Sequence, residues 1–117
     1  TPEEAFDRAA DEDFVGRAGK YIMEHYPKQV VAAGGDQDVP AVCREGLSSA
    51  RSYGITGEYD LVRYIILIYL LGRGFDTDET YPWAAEILNN SSLPPSTKLD
   101  QLEEHAKQVL GADYPDN

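Results

Sequence analysis

A chain of 117 residues, 42% of them hydrophobic, is long enough for one self-supporting core, too short for two ordinary domains and too apolar for a disordered segment. Its 21 Asp and Glu against 10 Lys and Arg leave a net charge of −11, which repels phosphate backbones and argues against nucleic acid as a direct partner. The same charge favours encounter with a basic protein surface, and it also serves simply to keep a small protein dissolved.

Thr1-Pro2-Glu3-Glu4 predicts a helix start: a capping hydroxyl, a proline in the first turn, and acids suited to the positive end of the helix dipole. From Ala5 to Tyr26 the chain predicts one helix, or two with a break near Asp11-Glu12-Asp13. Phe14, Ala18 and Ile22 recur every four residues, flanked by Val15 and Tyr26, as an amphipathic stripe. Pro27 permits a further turn to Ala33, and Gly34-Gly35 ends it.

Asp36 and Asp38 are expected to cap the next helix, with Pro40 in its first turn. Val39, Val42, Cys43, Leu47, Ala50 and Tyr53 line one side of it, and Gly54 closes it. Gly46 shares that side. Glycine there costs about 1 kcal/mol of helix propensity, offset if it lets another helix come close.

Thr56 is expected to cap the following helix, whose first turn carries Glu58 and Asp60. Its stretch Leu61 to Leu71 is apolar on nearly every face, so the rest of the chain must enclose it. At that length, and with Arg63 inside it, the stretch is too short to cross a bilayer. Gly72 punctuates its end. A polar loop over residues 73–80 leads to a short helix from Pro82 to Leu88 that bears Trp83 and Ile87. After Asn89-Asn90-Ser91-Ser92, Pro94-Pro95 opens a last helix striped by Leu99, Leu102, Ala106, Val109 and Leu110, and Gly111 stops it. Residues 112–117 are expected to be a loose tail. The prediction is an all-α, single-domain bundle spanning 1–117, with five or six helices around a buried central one at about 57–71.

Little in this chain resembles chemical machinery. Asp76, Asp78 and Glu79 are the densest oxygen ligands, but a calcium loop needs a glycine at its turn, and none follows Thr80. Capping of loop amides by Asp76 and Asp78, with Phe75 and Trp83 anchoring the loop, accounts for that stretch more simply. His25 and His105 have no partner at zinc-ligand spacing. Ser48 and Ser49 lie within a helix and not at a nucleophile elbow, and Gly34-Gly35 and Gly72-Arg73-Gly74 lack the lysine of a phosphate loop. Cys43 stands alone, so no internal disulfide forms, and it reads as a buried, inert thiol. No catalytic residue and no cofactor are therefore expected. The acidic opening does not match a secretory leader.

Aromatic residues carry the remaining signal. Tyr59, Tyr64 and Tyr69 advance by about 140° per step around one helix and so point to different faces. Phe75, Asp76, Asp78, Tyr81 and Trp83 are the candidates for contacting a protein partner.

Tyr53-Gly54-Ile55-Thr56, Asp60, the apolar helix, Gly72, Phe75-Asp76-Thr77-Asp78 and Pro82-Trp83 together resemble a family of small bacterial helical proteins encoded among type VI secretion or related contractile-injection genes. The matching span covers about a quarter of the chain. The resemblance implies a cytoplasmic bacterial accessory protein: an immunity protein, an effector adaptor, or a small domain accompanying the secreted spike. It carries no catalytic residues across. The expected function is non-enzymatic binding of a protein, such as a basic toxin or a spike protein, without membrane insertion. Two alternatives stand beside it: a metal-dependent protein or enzyme using loop 76–79 with His25 or His105, and a structural domain of a larger secreted protein.

Overall fold

Between Leu61 and Leu71 no residue is exposed, although an isolated helix of this composition would show apolar side chains to water on every face. The computed structural model describes the backbone of residues 2–115 and the side chains of residues 8–115. Among the described residues there is no strand, and the α-helices are α1 (Pro2–His25), α2 (Pro27–Ala32), α3 (Val39–Ser52), α4 (Glu58–Leu71), α5 (Pro82–Leu88) and α6 (Pro95–Leu110). Single 3₁₀ turns lie at Asp36–Asp38, Phe75–Thr77 and Gly111–Asp113. The chain is an all-α bundle with α4 at its centre, packed against α1, α2, α3 and α6.

The central helix buries Leu61, Tyr64, Ile65, Leu67, Ile68 and Leu71, and keeps Val62, Ile66, Tyr69 and Leu70 half-buried. Its closest neighbour is α3, and Gly46 is the reason. A Cβ on Gly46 would fall 2.6 Å from Ile65 Cγ1 and 3.0 Å from Ile68 Cδ1. Both helices carry their apolar rows into that contact, Val39, Val42, Cys43, Leu47 and Ala50 from α3 against the inner face of α4. The propensity lost at Gly46 is thus exchanged for the close approach of two helices.

Around this pair the remaining helices follow their apolar stripes. Phe14, Val15, Ala18 and Ile22 turn α1 inward, and Leu99, Leu102 and Ala106 do the same for α6. No break occurs at Asp11-Glu12-Asp13. Those carboxylates stay on the helix surface because each has a guanidinium to meet: Asp11 that of Arg51 (2.7 Å), Glu12 that of Arg44 (2.6 Å) and Asp13 that of Arg17 (2.9 Å).

Three expected caps are not formed. Asp38 already has near-helical backbone angles (φ −88°, ψ −10°), so its side chain cannot reach back to the first amides of α3, and Asp36 lies within the preceding turn. The Asp38 carboxylate lies instead against Gly34, whose positive φ of 113° turns the chain there. Thr56 stands two residues ahead of α4, which starts from an extended Gly57 with no side-chain cap. Thr1 lies outside the described residues. Val109, expected in the core stripe of α6, is 49% exposed because the core ends one turn earlier, at Ala106. Where a loose tail is expected from Ala112, Gly111–Asp113 forms a turn and Tyr114 packs on the core, with Lys107 Nζ 5.7 Å from its ring centre.

Two glycine-to-alanine substitutions test the α3–α4 contact. Gly46→Ala is expected to destabilise the chain by about 1–2 kcal/mol, since overpacking outweighs the gain in helix propensity. Gly16→Ala, in the exposed middle of α1 where nothing approaches within 4 Å, is expected to add about 0.5–1 kcal/mol. Urea denaturation of both variants measures the difference.

Candidate functional site

The loop after α4 turns inward at its third and fourth residues. Gly74, at φ 79°, reverses the chain, and Phe75 drops into the core, 1% exposed, with its ring 5.2 Å from that of Tyr64. Asp76 follows it. Its carboxylate accepts the Tyr53 hydroxyl at 2.6 Å and the Ser49 hydroxyl at 3.3 Å, while Ser49 shares a 2.8 Å hydrogen bond with the Tyr64 hydroxyl. Burial, reinforced by the Asp76 anion, pushes the Tyr53 phenol up to about 12, and burial raises that of Tyr64 as well.

Phe75 is therefore enclosed by its own chain, and Asp76 is half-buried with its carboxylate engaged within the fold. Asp76 does not cap a loop amide; it ties the loop to α3 through hydroxyl donors. Asp78 does take the expected role, accepting the Thr80 amide at 2.9 Å, and that bond lowers its pKa. Among the described residues no three His, Cys, Asp or Glu side chains converge in a way that could hold a metal ion. His105 is stacked on Trp83, with ring centres 4.7 Å apart, and His25 lies beside Tyr21 at 4.2 Å. Neither histidine is gathered with Asp76, Asp78 and Glu79 into one ligand set. Tyr81 and Trp83, 5.6 Å apart, are half-buried where α5 docks on α6, and Asp78 and Glu79 are exposed.

An open apolar surface lies elsewhere, between α1 and α4. Phe14, Ala18 and Tyr21 form one wall of a groove of about 310 Å³, and Tyr59, Val62 and Ile66 form the other. Tyr59 is 78% exposed and Tyr21 44%, both large departures for aromatic residues next to a core. Across the groove's edge Arg17 binds Glu58 through two hydrogen bonds, at 3.1 and 2.7 Å, and also reaches Asp13. That guanidinium holds the Glu58 carboxyl below the usual carboxylate range.

Behind Tyr59, Arg63 sits 5.5 Å from the ring centre and is itself nearly enclosed. It donates to Asp60 (3.1 Å), Asp100 (2.6 Å) and Glu103 (2.8 and 3.0 Å). Asp60 is buried and completes its bonding by accepting the Ser96 hydroxyl at 2.9 Å. Two guanidiniums (Arg17, Arg63) thus face five carboxylates (Asp13, Glu58, Asp60, Asp100, Glu103), an excess of three negative charges beside an apolar trough.

The sequence places Tyr59 on a face distinct from those of Tyr64 and Tyr69 without marking it as a partner contact. The angular spacing separates the faces of Tyr59 and Tyr64, but packing decides which is enclosed: Tyr64 is buried and Tyr59 is left exposed. Lys98 was passed over. It is buried in the first turn of α6, and its ammonium donates to the Leu88 carbonyl at 2.8 Å and the Tyr53 carbonyl at 3.0 Å. One cation thereby meets the negative ends of α5 and α3. Cys43 is fully buried, as expected, and burial pushes its thiol up to about 11.

Comparison with known protein families, curated proteins and solved structures gives no significant match for this chain.

Lys98→Met, which keeps the packing volume and removes the donor, is expected to cost about 2–3 kcal/mol in chemical denaturation because two helix-end carbonyls lose a charged partner. Cys43 should resist a thiol reagent at pH 8 until denaturant unfolds the chain; fast labelling of the native protein would contradict its placement. Its folded-state pKa lies above the ordinary 9.0, so its stabilising contribution is full below pH 9.0 and is lost as the pH rises through about 11.

Proposed function

We propose that this chain is a non-enzymatic protein-binding domain that acts through the groove between α1 and α4, in the setting of a bacterial secretion or toxin–immunity system. One observation carries the reading: Tyr59 and Tyr21 stand exposed at the lips of an apolar trough otherwise made of core-facing positions. Tyrosine is enriched at protein interfaces because one rigid ring supplies apolar area while its hydroxyl stays wet. The Tyr59 ring, 78% exposed, meets its own chain at Arg63 and leaves most of its apolar area open beside the trough. The acidic excess beside the groove suits a basic partner, which a toxin acting on nucleic acid would supply.

The setting itself rests on the resemblance carried by Tyr53-Gly54-Ile55-Thr56 and Phe75-Asp76-Thr77-Asp78. In this structure Tyr53, Ile55, Phe75 and Asp76 of that pattern pack into or brace the bundle, so the pattern itself is not the binding surface.

Isothermal titration of the full chain against each protein encoded beside it tests the reading. One neighbour is expected to bind saturably, with affinity that falls as salt rises from about 0.05 to 0.3 M. If no neighbouring protein binds at either salt concentration, the proposal fails.

A further inference from the structure

We infer that the α1–α4 groove receives a basic amphipathic helix of the partner, laid along the trough between the two walls; this deepens the protein-binding reading and rests on it. Both walls are helical rows. Phe14, Ala18 and Tyr21 are spaced i, i+4, i+7 on α1, and Tyr59, Val62 and Ile66 are spaced i, i+3, i+7 on α4. Each row therefore runs about 10 Å, or two turns, along its helix axis. A third helix packing its own i, i+3 or i+4, i+7 row between two such ridges matches that length and shape.

An extended peptide fits less well. Strand addition needs a free row of backbone amides and carbonyls, and helix walls keep theirs bonded internally. Recognition in this trough must come from side chains.

Charge selects among helices. The groove's surroundings carry five carboxylates against two guanidiniums, and the outer part of the Tyr59 ring is open while Arg63 lies behind it. A lysine or arginine flanking the partner's apolar row would find an aromatic face and carboxylates that outnumber the guanidiniums they share, five to two. A second copy of this chain is disfavoured by the same terms, since it would bring its own net charge of −11 to an acidic site.

The test uses the full chain and three labelled synthetic peptides read by fluorescence anisotropy at physiological salt. These are an amphipathic Leu/Lys helix, its Leu/Glu counterpart, and a peptide of the Leu/Lys composition scrambled so that no apolar face forms. The Leu/Lys helix is expected to bind and the other two to bind at least about tenfold more weakly. Tyr59→Ala and Tyr21→Ala, both at exposed positions, should each weaken the Leu/Lys helix about tenfold. Val31→Ala, 74% exposed outside the groove, should change it less than about twofold.

Equal binding of the scrambled or acidic peptide would overturn the inference, as would affinity indifferent to both tyrosine substitutions. A neighbouring protein that binds the wild-type chain and Tyr59→Ala equally well would also overturn it, while leaving the protein-binding reading standing. Absence of any bound neighbour would remove that reading as well.

Discussion

Where α3 crosses α4, the side chain at position 46 is reduced to a hydrogen so that Ile65 and Ile68 can lie directly on the α3 backbone. That contact closes the most apolar surface of the molecule. Each large side chain that α4 buries in the core adds about 1.5–3 kcal/mol relative to exposure, and α4 contributes six of them. Once α3 covers one side of α4, the positions of α1 and α6 follow, because Phe14, Ile22, Leu99 and Leu102 have the same rod to bury against. The strip of α4 that these neighbours leave partly uncovered, Tyr59, Val62 and Ile66, becomes a wall of the groove. Core and candidate binding surface are thus two faces of one helix.

Polar groups near the core hold the short elements to this frame. Lys98 bonds the ends of α3 and α5, Asp76 fastens the loop after α4 to Tyr53 and Ser49, and Arg63 ties α4 to α6 through Asp100 and Glu103. Each of these ionic groups has several partners, which offsets the cost of removing charge from water. Removing one member leaves the others unsatisfied, so their value to the fold exceeds that of the surface ion pairs along α1. The Tyr69 hydroxyl is the exception: it is buried with no hydrogen-bond partner among the described residues.

Sequence periodicity was enough to locate α4, the inward rows of α1 and α3, and the close approach at Gly46, because those features depend on apolar spacing over ten or more residues. Proline and glycine likewise marked the starts of α2 and α5 and the stops near Gly34 and Gly111. Capping was misread at Asp36, Asp38 and Thr56, since a cap depends on backbone angles that one residue's identity does not settle. The loop after α4 was less legible for a different reason. Phe75 and Asp76 look like loop residues in a polar run, yet a glycine turn and a tyrosine hydroxyl across the fold draw them inward. Tyr59 and Lys98 depend wholly on tertiary packing: an exposed-looking lysine is buried by two helix ends, and a tyrosine beside the core is left in water.

Native-state hydrogen exchange over α4, followed at increasing denaturant, tests the central claim most directly. With α4 enclosed by α1, α3 and α6, the amides of Ile65, Ile66 and Leu67 should open only with global unfolding, at the full stability of the chain and with the full denaturant dependence. Exchange of those amides through smaller, denaturant-independent openings would contradict the account, because the helix would then be loosely covered and the groove beside it would have no rigid wall.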